Sequence, residues 1–357
     1  MANIPDKIQA WQMIEPGKLE KRTIPMPELK PGEVLVEIAG CGVCHTDLSY
    51  FYHGVPTVSK PPLTLGHEIA GKVVAGEANL LGKEVIVPAV MPCNNCPICA
   101  MGRGNRCLAQ KMPGNSWGQW GGFATHIPVP SHDLCVVENR GSFPLTDLAV
   151  VADAVTSPYQ AAMKAEVKPG DRVIIIGATG GTGTYMTQVC AALGAKAVVA
   201  LGRNEAKLER IRQHGATHIL NISNKTPKDV RNAFKELCKA NGLPDNWGWK
   251  IFESTGTLEG QQLGLELLSF VGKLTIFGYG TAVGQYMFSR LMAFDAEIIG
   301  TWGCLPKYYP DAAKLVMSGK IDIKPFVETR PMSQIAEVFK LSDEGKLDKR
   351  VVLVPDF

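Results

Sequence analysis

Hydrophobic and polar positions form short runs through the first half of the chain. Residues 33–39, 69–74 and 84–87 are rich in valine, isoleucine and leucine, and turn-forming residues bound each run. Apolar runs of this length between turn formers are typical of β-strands. The first half is therefore expected to fold as a β-rich domain.

The pattern changes near residue 154. An apolar run at 172–176 leads into a glycine cluster, a long helical stretch continues to Gly194, and a second apolar run occupies 197–201. Helix and strand signals keep alternating through 250–252, 273–277 and 297–299. Such alternation predicts a doubly wound parallel α/β sheet. A last apolar run, at 351–354, is expected to return to the first domain.

Length, composition and charge limit the function classes. The chain has 357 residues, 45% of them hydrophobic and 20% charged, which predicts two domains at about 100–200 residues each. The net charge of +3 gives no support for binding nucleic acid or a membrane surface. Residues 1–7 lack a signal-peptide pattern, and no apolar run reaches the roughly 18 residues of a membrane span. We therefore expect a cytoplasmic protein.

Ten cysteines in a cytoplasmic chain of this length are not expected to form a disulfide framework, so metal binding is the first role to consider. Four of them lie in one turn-rich segment, separated by two, two and seven residues: Cys93, Cys96, Cys99 and Cys107. Four thiolates complete a tetrahedral zinc shell with bonds of about 2.3 Å. Because the protein fills every coordination position, the predicted role of this zinc is structural.

Three other interpretations of the four-cysteine segment fit less well. Buried or redox cysteines do not usually cluster at this spacing, and the seven-residue gap is not the usual one of an iron–sulfur cluster. A zinc module that binds nucleic acid would need clustered basic residues, whereas only Arg103 and Arg106 lie inside the segment.

The glycine cluster has the composition of a phosphate-binding loop and comprises Gly177, Gly180, Gly181, Thr182 and Gly183. Glycines allow a tight turn and let backbone N–H groups approach a pyrophosphate at a helix N-terminus. Because an apolar strand precedes the cluster and a helix and another strand follow it, it predicts a dinucleotide site. A tight turn without cofactor is the alternative.

The end of the second strand bears on the choice of dinucleotide. NAD-binding proteins usually carry an acidic residue about 20 residues beyond the glycines, which holds the ribose 2′-hydroxyl. Here the strand ends at Gly202 and Arg203, which favours the 2′-phosphate of NADP. Glu205 lies just downstream and can supply a carboxylate for NAD, and Lys207 is a further candidate contact. These residues leave both cofactors open.

A second set of candidate zinc ligands is spread along the chain. Cys44 lies in the segment Gly-Val-Cys-His-Thr-Asp over 42–47, and His67 lies in Gly-His-Glu over 66–68. A catalytic zinc site needs about three protein ligands and one open position. Either residue alone is more often structural than metal-binding.

With these motifs in this order, the chain resembles the zinc-containing medium-chain alcohol dehydrogenases over nearly its whole length. The resemblance implies a GroES-like catalytic domain, 1–153 with 297–357, and a Rossmann cofactor domain, 154–296. It implies two zinc ions per chain, with Cys44 and His67 holding the catalytic one. Many members have a cysteine as third ligand just before the cofactor domain, where this chain has Asp153, with Tyr159 fitting the family pattern shortly after. A carboxylate also binds zinc well, so Asp153 is the predicted third ligand; a capping or zinc-supporting acid is the alternative.

The resemblance also implies roles for the neighbours of these ligands. Thr46 would accept the substrate proton, and His45 would contact the cofactor phosphates or join the proton relay. Asp47 would orient the histidine ligand, and Glu68 would be an exchangeable zinc ligand or a supporting acid. Many members end the relay with a histidine where this chain has Ser49, so the proton's exit route stays open.

Overall similarity further suggests one branch of the family, the 6-hydroxycyclohex-1-ene-1-carbonyl-CoA dehydrogenases of anaerobic aromatic degradation. This implies a small-molecule substrate, a cyclic allylic alcohol carried as a CoA thioester, with NAD as the hydride acceptor. It also implies a homodimer or homotetramer. The alternatives are a family member that acts on simple alcohols or aldehydes, with NADP or in the reducing direction, and a metal-free quinone or enoyl reductase, which would lack the Cys44 and His67 motifs.

Overall fold

The computed structural model describes residues 5–357, so residues 1–4 of the segment tested for a signal peptide lie outside it. The chain divides into two compact units. The first comprises the chain up to Thr156 together with Gly303–Phe357, and the second comprises Ser157–Trp302. Among residues 5–357, every helix is too short or too polar to span a bilayer.

The first unit begins as a series of strands with two short helices. In chain order these are β1 (Lys7–Glu15), β2 (Lys18–Pro25), β3 (Glu33–Gly42), α1 (His45–Phe51), β4 (Leu63–Thr64), β5 (Glu68–Ala75), β6 (Glu84–Val87), α2 (Pro97–Ala100), β7 (His126–Pro130) and β8 (Cys135–Val136). A 3₁₀ helix over Asp147–Ala152 follows.

The second unit alternates helices and strands. Its elements are α3 (Thr156–Lys164), which starts one residue before the unit, β9 (Arg172–Ile176), α4 (Gly183–Ala192), β10 (Ala197–Gly202), α5 (Glu205–Arg212), β11 (His218–Asn221), α6 (Pro227–Ala240), β12 (Trp249–Glu253), α7 (Leu258–Leu267), β13 (Lys273–Ile276), α8 (Ser289–Phe294) and β14 (Glu297–Gly300). The strands are parallel, in the order β11-β10-β9-β12-β13-β14.

The chain then returns to the first unit through α9 (Tyr309–Met317), β15 (Val327–Pro331), α10 (Ile335–Asp343) and β16 (Arg350–Val354). β16 pairs with β3, giving a sheet in the order β15-β16-β3-β5-β6-β8, with β7 also paired to β3. The final strand therefore places Arg350 beside the β3–β5 region, where the candidate ligands lie.

The α/β fold class predicted from the sequence is confirmed: one unit is β-rich, and the other has a six-stranded parallel sheet between helices. One predicted boundary needs correction. The resemblance implies that 297–300 belongs to the catalytic domain, but β14 pairs in parallel with β13 along its whole length. Its backbone hydrogen bonds therefore place it in the sheet of the second unit, which ends at Trp302.

Candidate functional site

The first candidate site is a buried cluster assembled from three segments of the first unit. Cys44 lies between β3 and α1, His67 and Glu68 lie where β5 begins, and Asp153 follows the 3₁₀ helix that ends at Ala152. One ligand-type atom from each of these four side chains lies within 4.8 Å of every other. The fold therefore brings together the residues that the sequence analysis named one by one.

The spacing of these atoms fits a tetrahedral zinc ion. The Asp153 carboxylate lies 3.7 Å from Cys44 Sγ and 3.6 Å from His67 Nε2. Ligands bound at about 2.0–2.3 Å in a tetrahedron lie about 3.3–3.8 Å apart. Burial disfavours a charged imidazole, but the Asp47 and Asp153 carboxylates outweigh this effect and raise the pKa of His67 well above its usual range. The cluster thus attracts positive charge and has the donor types that zinc prefers.

Asp47 is fully buried and links the two segments that carry the candidate ligands. One of its carboxylate oxygens accepts a hydrogen bond from the Cys44 N–H at 3.1 Å. The other accepts from the Gly66 N–H at 3.0 Å and lies 3.4 Å from His67 Nδ1. A carboxylate in this place can hold the imidazole so that Nε2 faces the cluster.

Glu68 is paired with an arginine that the sequence analysis did not identify. Arg350, the first residue of β16, donates from Nε to Glu68 at 2.7 Å and also from a terminal nitrogen, and the side chain of Glu68 is fully buried. Burial raises the pKa of Glu68 to about 7, although Arg350 opposes this shift. No local motif identifies Arg350, because it lies 282 residues from Glu68 and begins an ordinary apolar strand.

The side chains predicted to move the proton lie along α1. Thr46 Oγ1 lies 3.7 Å from Cys44 Sγ, which places a hydroxyl beside the cluster. His45 begins the helix and is exposed. Ser49 donates its hydroxyl proton to the backbone oxygen of His45 at 2.9 Å. The Ser49 hydroxyl is therefore hydrogen-bonded to the backbone of α1 itself.

The four-cysteine segment forms a second cluster, which lies mostly at the surface. Its four sulfur atoms lie within 4.8 Å of one another, and Cys96 Sγ is 3.5 Å from Cys99 Sγ and 3.8 Å from Cys107 Sγ. Tetrahedral thiolates with bonds of about 2.3 Å lie about 3.8 Å apart. The backbone N–H groups of Cys93 and Ala109 donate to Cys107 Sγ at 3.2 and 3.3 Å. The segment therefore has the donors and the spacing of a closed zinc site.

The glycine cluster connects β9 to α4 in the second unit. Gly177 has a left-handed φ of +82°, and a β-carbon there would lie 2.6 Å from the Thr255 side chain. A β-carbon at Gly183 would overlap the carbonyl oxygen of Gly177. Gly180 and Gly181 are exposed, and no side chain caps α4 at Thr182. The helix N-terminus is thus available to a pyrophosphate.

A buried acid that the sequence analysis missed supports the glycine cluster. Glu253, at the end of β12, accepts hydrogen bonds from the Thr255 N–H at 2.7 Å and the Gly256 N–H at 3.2 Å. The next residue, Ser254, donates to the Ile176 carbonyl at 2.7 Å. Glu253 therefore shapes the turn that packs against Gly177. An acidic residue at the end of a buried strand was the available signal.

The residues that bear on cofactor selectivity lie between β10 and α5. Gly202 is buried, and Arg203 is exposed. Asn204 caps α5 by accepting from the backbone N–H of Lys207 at 3.0 Å, and Lys207 is half-buried. Glu205 accepts from the Asn221 side chain at 2.6 Å. Glu205 is thus hydrogen-bonded toward β11, while the Arg203 side chain lies at the surface.

Comparison with known proteins shows that each unit contains residues that match a known family. The alcohol dehydrogenase GroES-like domain matches residues 30–139, and the zinc-binding dehydrogenase family matches residues 181–318. The NAD-dependent alcohol dehydrogenase of Sulfurisphaera tokodaii is 27% identical, over 98% of this chain and 100% of that protein. The D-arabinose 1-dehydrogenase (NADP(+)) of Saccharolobus solfataricus is 30% identical, over 96% of this chain and 95% of that protein. The crystal structure of the alcohol dehydrogenase from Aeropyrum pernix is similar with a TM-score of 0.85 and 26% identity, over 97% of this chain and 100% of that chain.

Proposed function

The chain belongs to the zinc-containing medium-chain alcohol dehydrogenases, and from this premise we propose that it oxidises a secondary alcohol with NAD, using a catalytic zinc held by Cys44, His67 and Asp153. It is an oxidoreductase that acts on CH–OH groups, and zinc and a nicotinamide dinucleotide are its cofactors. The observation that carries the ligand assignment is the convergence of two buried donors, Cys44 and His67, and the partly buried Asp153, from distant segments at tetrahedral spacing.

In this proposal, each side chain of the cluster has a distinct task. When bound, zinc supplies the Lewis acidity that lets an alcohol lose its proton near neutral pH. Asp47 keeps His67 oriented, and Thr46, beside Cys44, takes the proton at its hydroxyl oxygen while it passes its own hydroxyl proton on toward solvent. Arg350 neutralises Glu68 when Glu68 is ionised, so this acid does not have to be balanced by the metal. Glu68 remains the candidate exchangeable ligand because its carboxylate belongs to the same cluster.

The four-cysteine segment is proposed to hold the second, structural zinc. Its sulfur atoms leave no open position in a tetrahedral shell, so this site has no place for substrate. Backbone N–H donors lower the pKa of Cys96 to about 6, which favours the thiolate that zinc binds. The donors come from Leu108 and Cys99, within the same segment.

The glycine cluster is proposed to bind the dinucleotide, whose nicotinamide accepts the hydride. The α4 N-terminus would hold the pyrophosphate, with Gly177 and Gly183 allowing the close approach of backbone segments. We propose NAD as the acceptor, on the strength of the sequence resemblance. An exposed arginine such as Arg203 can stack on adenine without a phosphate partner, although Arg203 and the engagement of Glu205 with Asn221 favour NADP as the second candidate.

For the substrate, the overall resemblance supports a cyclic allylic alcohol carried as a CoA thioester, converted to the 6-oxo product of 6-hydroxycyclohex-1-ene-1-carbonyl-CoA. The alternative is a simpler alcohol, polyol or sugar, since relatives are named sorbitol dehydrogenase and D-arabinose 1-dehydrogenase (NADP(+)). Turnover of acyl-CoA alcohols and simple alcohols, each with NAD and NADP in parallel, decides between them. We expect turnover of the cyclic CoA thioester with NAD; turnover of simple alcohols alone contradicts the proposed substrate.

The ligand assignment has its own test. Replacing Asp153 by Asn should lower the zinc content, measured by mass spectrometry, from about two to about one ion per chain. Asp147→Asn, the same substitution within the adjoining 3₁₀ helix and outside the cluster, is the matched control and should keep both ions. Retention of both zinc ions by the Asp153 variant would overturn its role as a ligand.

An exposed apolar surface in the second unit supports a homo-oligomer. Val283, Met287, Phe288 and Met292 are exposed by 88, 66, 76 and 80%. Apolar patches of this kind mark interaction surfaces, and β14 is an edge strand of the sheet formed by the described residues. Light scattering should give the mass of a homodimer or homotetramer, and a monomeric mass contradicts this.

A further inference from the structure

A buried tyrosine from the C-terminal part of the first unit reaches the backbone next to Asp153. Tyr309, the first residue of α9, has no exposed surface. Its hydroxyl donates to the backbone oxygen of Ala152 at 2.5 Å and accepts from the backbone N–H of Ala89 at 2.9 Å. Ala89 lies two residues beyond β6. One hydroxyl therefore bridges the end of a core strand and the residue just before a proposed ligand.

The same backbone oxygen has a second buried donor. The Thr156 hydroxyl, with no exposed surface, donates to the Ala152 oxygen at 3.1 Å. A carbonyl oxygen has two lone pairs, so these two bonds saturate it. Asp153 has a φ of −141° and a ψ of −53°, which are not helical angles, so the 3₁₀ helix ends before it. The hydrogen bonds to Ala152 thus stabilise the place where the helix ends.

The geometry of the peptide unit makes this contact relevant to the metal. The oxygen of Ala152 lies in the same rigid plane as the nitrogen and Cα of Asp153. Anchoring that oxygen fixes the position of the Asp153 Cα, and only the short side chain of Asp153 then separates it from the cluster. The carboxylate lies 3.7 Å from Cys44 Sγ and 3.6 Å from His67 Nε2. A shift of the Ala152 peptide would therefore move the carboxylate away from the other two donors.

We propose that Tyr309 is a positioning residue, which holds the Ala152–Asp153 peptide so that the Asp153 carboxylate stays against Cys44 and His67. The proposal rests on the proposed role of Asp153 as the third zinc ligand. The Tyr309 hydroxyl links the end of β6, the 3₁₀ helix and α9 through buried hydrogen bonds. The C-terminal segment thereby helps to position a ligand of the catalytic metal.

The test is Tyr309→Phe, which removes one oxygen and keeps the ring. Residues that support a ligand contribute about tenfold or more to metal affinity, so we expect zinc at the catalytic site to bind about tenfold more weakly in chelator competition, with the four-cysteine site unchanged. The d–d absorption of Co²⁺ placed in the catalytic site should also change, because the carboxylate ligand moves. A merely structural role would lower the Tm without changing this spectrum.

Two further variants keep the test decisive. Tyr286→Phe is the matched control, because the Tyr286 hydroxyl has no hydrogen-bond partner among the described residues; zinc affinity should not change. If Tyr309→Phe does not fold, Thr156→Val removes the second donor to Ala152 and should weaken zinc binding in the same direction.

The outcomes separate the two proposals. The positioning role is overturned if folded Tyr309→Phe keeps the wild-type zinc affinity and an unchanged Co²⁺ spectrum. If that variant does not fold, the same result in Thr156→Val overturns it. Retention of the catalytic zinc by Asp153→Asn overturns the ligand assignment instead, and the positioning role falls with it.

Discussion

The two candidate metal clusters of the first unit have similar internal spacing but are built in different ways. Each brings four ligand-type side chains within 4.8 Å of one another. The four-cysteine cluster comes from one segment, 93–107, whose cysteines range from exposed to buried. In the other cluster, Cys44 and Asp153 are 109 positions apart in the chain, and Cys44, His67 and Glu68 are buried.

The difference shows how each cluster keeps its charged groups stable. In the four-cysteine segment, backbone N–H groups of the same segment donate to sulfur, so the site depends on local geometry and on the metal. In the buried cluster, charge is balanced by distant side chains, as in the pair of Glu68 and Arg350. A buried charge without a partner is strongly destabilising. The buried cluster therefore depends on the tertiary fold before any metal binds.

The largest expected effect is the complete loss of one metal without loss of the other. Cys107→Ser should lower the zinc content from about two to about one ion per chain, because it removes the sulfur that accepts from Cys93 and Ala109. The catalytic zinc should remain, since no residue is shared between the clusters. Elemental analysis measures the zinc content. Cys135→Ala, at a buried cysteine outside both clusters, should keep two; loss of both ions from the Cys107 variant would show that the clusters are coupled.

A smaller effect is expected from unpairing the buried charge. Arg350→Met should lower the free energy of unfolding by about 3–5 kcal/mol, measured in urea at pH 8, because it leaves Glu68 buried alone. Arg140→Met breaks a half-exposed pair with Glu84 and should cost only about 0–1 kcal/mol. Equal losses in the two variants would contradict the distinction between buried and surface pairs.

The same arginine variant should show a pH dependence with a definite sign. Burial raises the pKa of Glu68 above its ordinary value, to about 7 even with Arg350 present. In the folded variant Glu68 therefore holds its proton to higher pH than in the unfolded chain, so the variant loses stability as the pH rises above about 4.5. Since the wild type also holds this proton up to about pH 7, urea unfolding should give similar differences from the wild type at pH 5 and 6.5 and a larger one at pH 8. A difference that does not grow between pH 6.5 and 8 would be evidence against an unpaired Glu68.

The smallest expected effect concerns the sulfur atoms of the zinc-free four-cysteine segment. Backbone N–H donors lower the pKa of Cys96 to about 6, whereas desolvation raises that of Cys99 to about 12. After removal of zinc, Cys96 should react with iodoacetamide at pH 7 faster than Cys99, because the thiolate is the nucleophile and a larger fraction of Cys96 is ionised. Peptide mass spectrometry follows both rates. Equal rates would mean that the segment loses its conformation without the metal.

The difference between contacts within one segment and contacts between distant segments also decides what could be predicted from the sequence. Cysteine spacing and the strand–glycine–helix pattern are local, so the proximity of the four cysteines and the turn at Gly177 follow from short stretches of chain. The strands at 33–39, 69–74, 84–87 and 172–176 all lie within observed strands because apolar runs between turn formers are a local signal as well. The domain boundary before β14 was wrong although the alternating pattern includes 297–299, since pairing with β13 is decided by the sheet and not by the strand itself.

The sequence by itself therefore determined the fold class, the family and the identity of the candidate ligands, through motifs that are contiguous or nearly so. Only the tertiary structure decided that Arg350 pairs with Glu68, that Ser254 donates to the Ile176 carbonyl beside Gly177, and that Tyr309 holds the peptide before Asp153. These are contacts between residues that no spacing rule connects. They form because a polar group removed from water requires a partner, and the folded chain supplies that partner from whichever segment passes nearest.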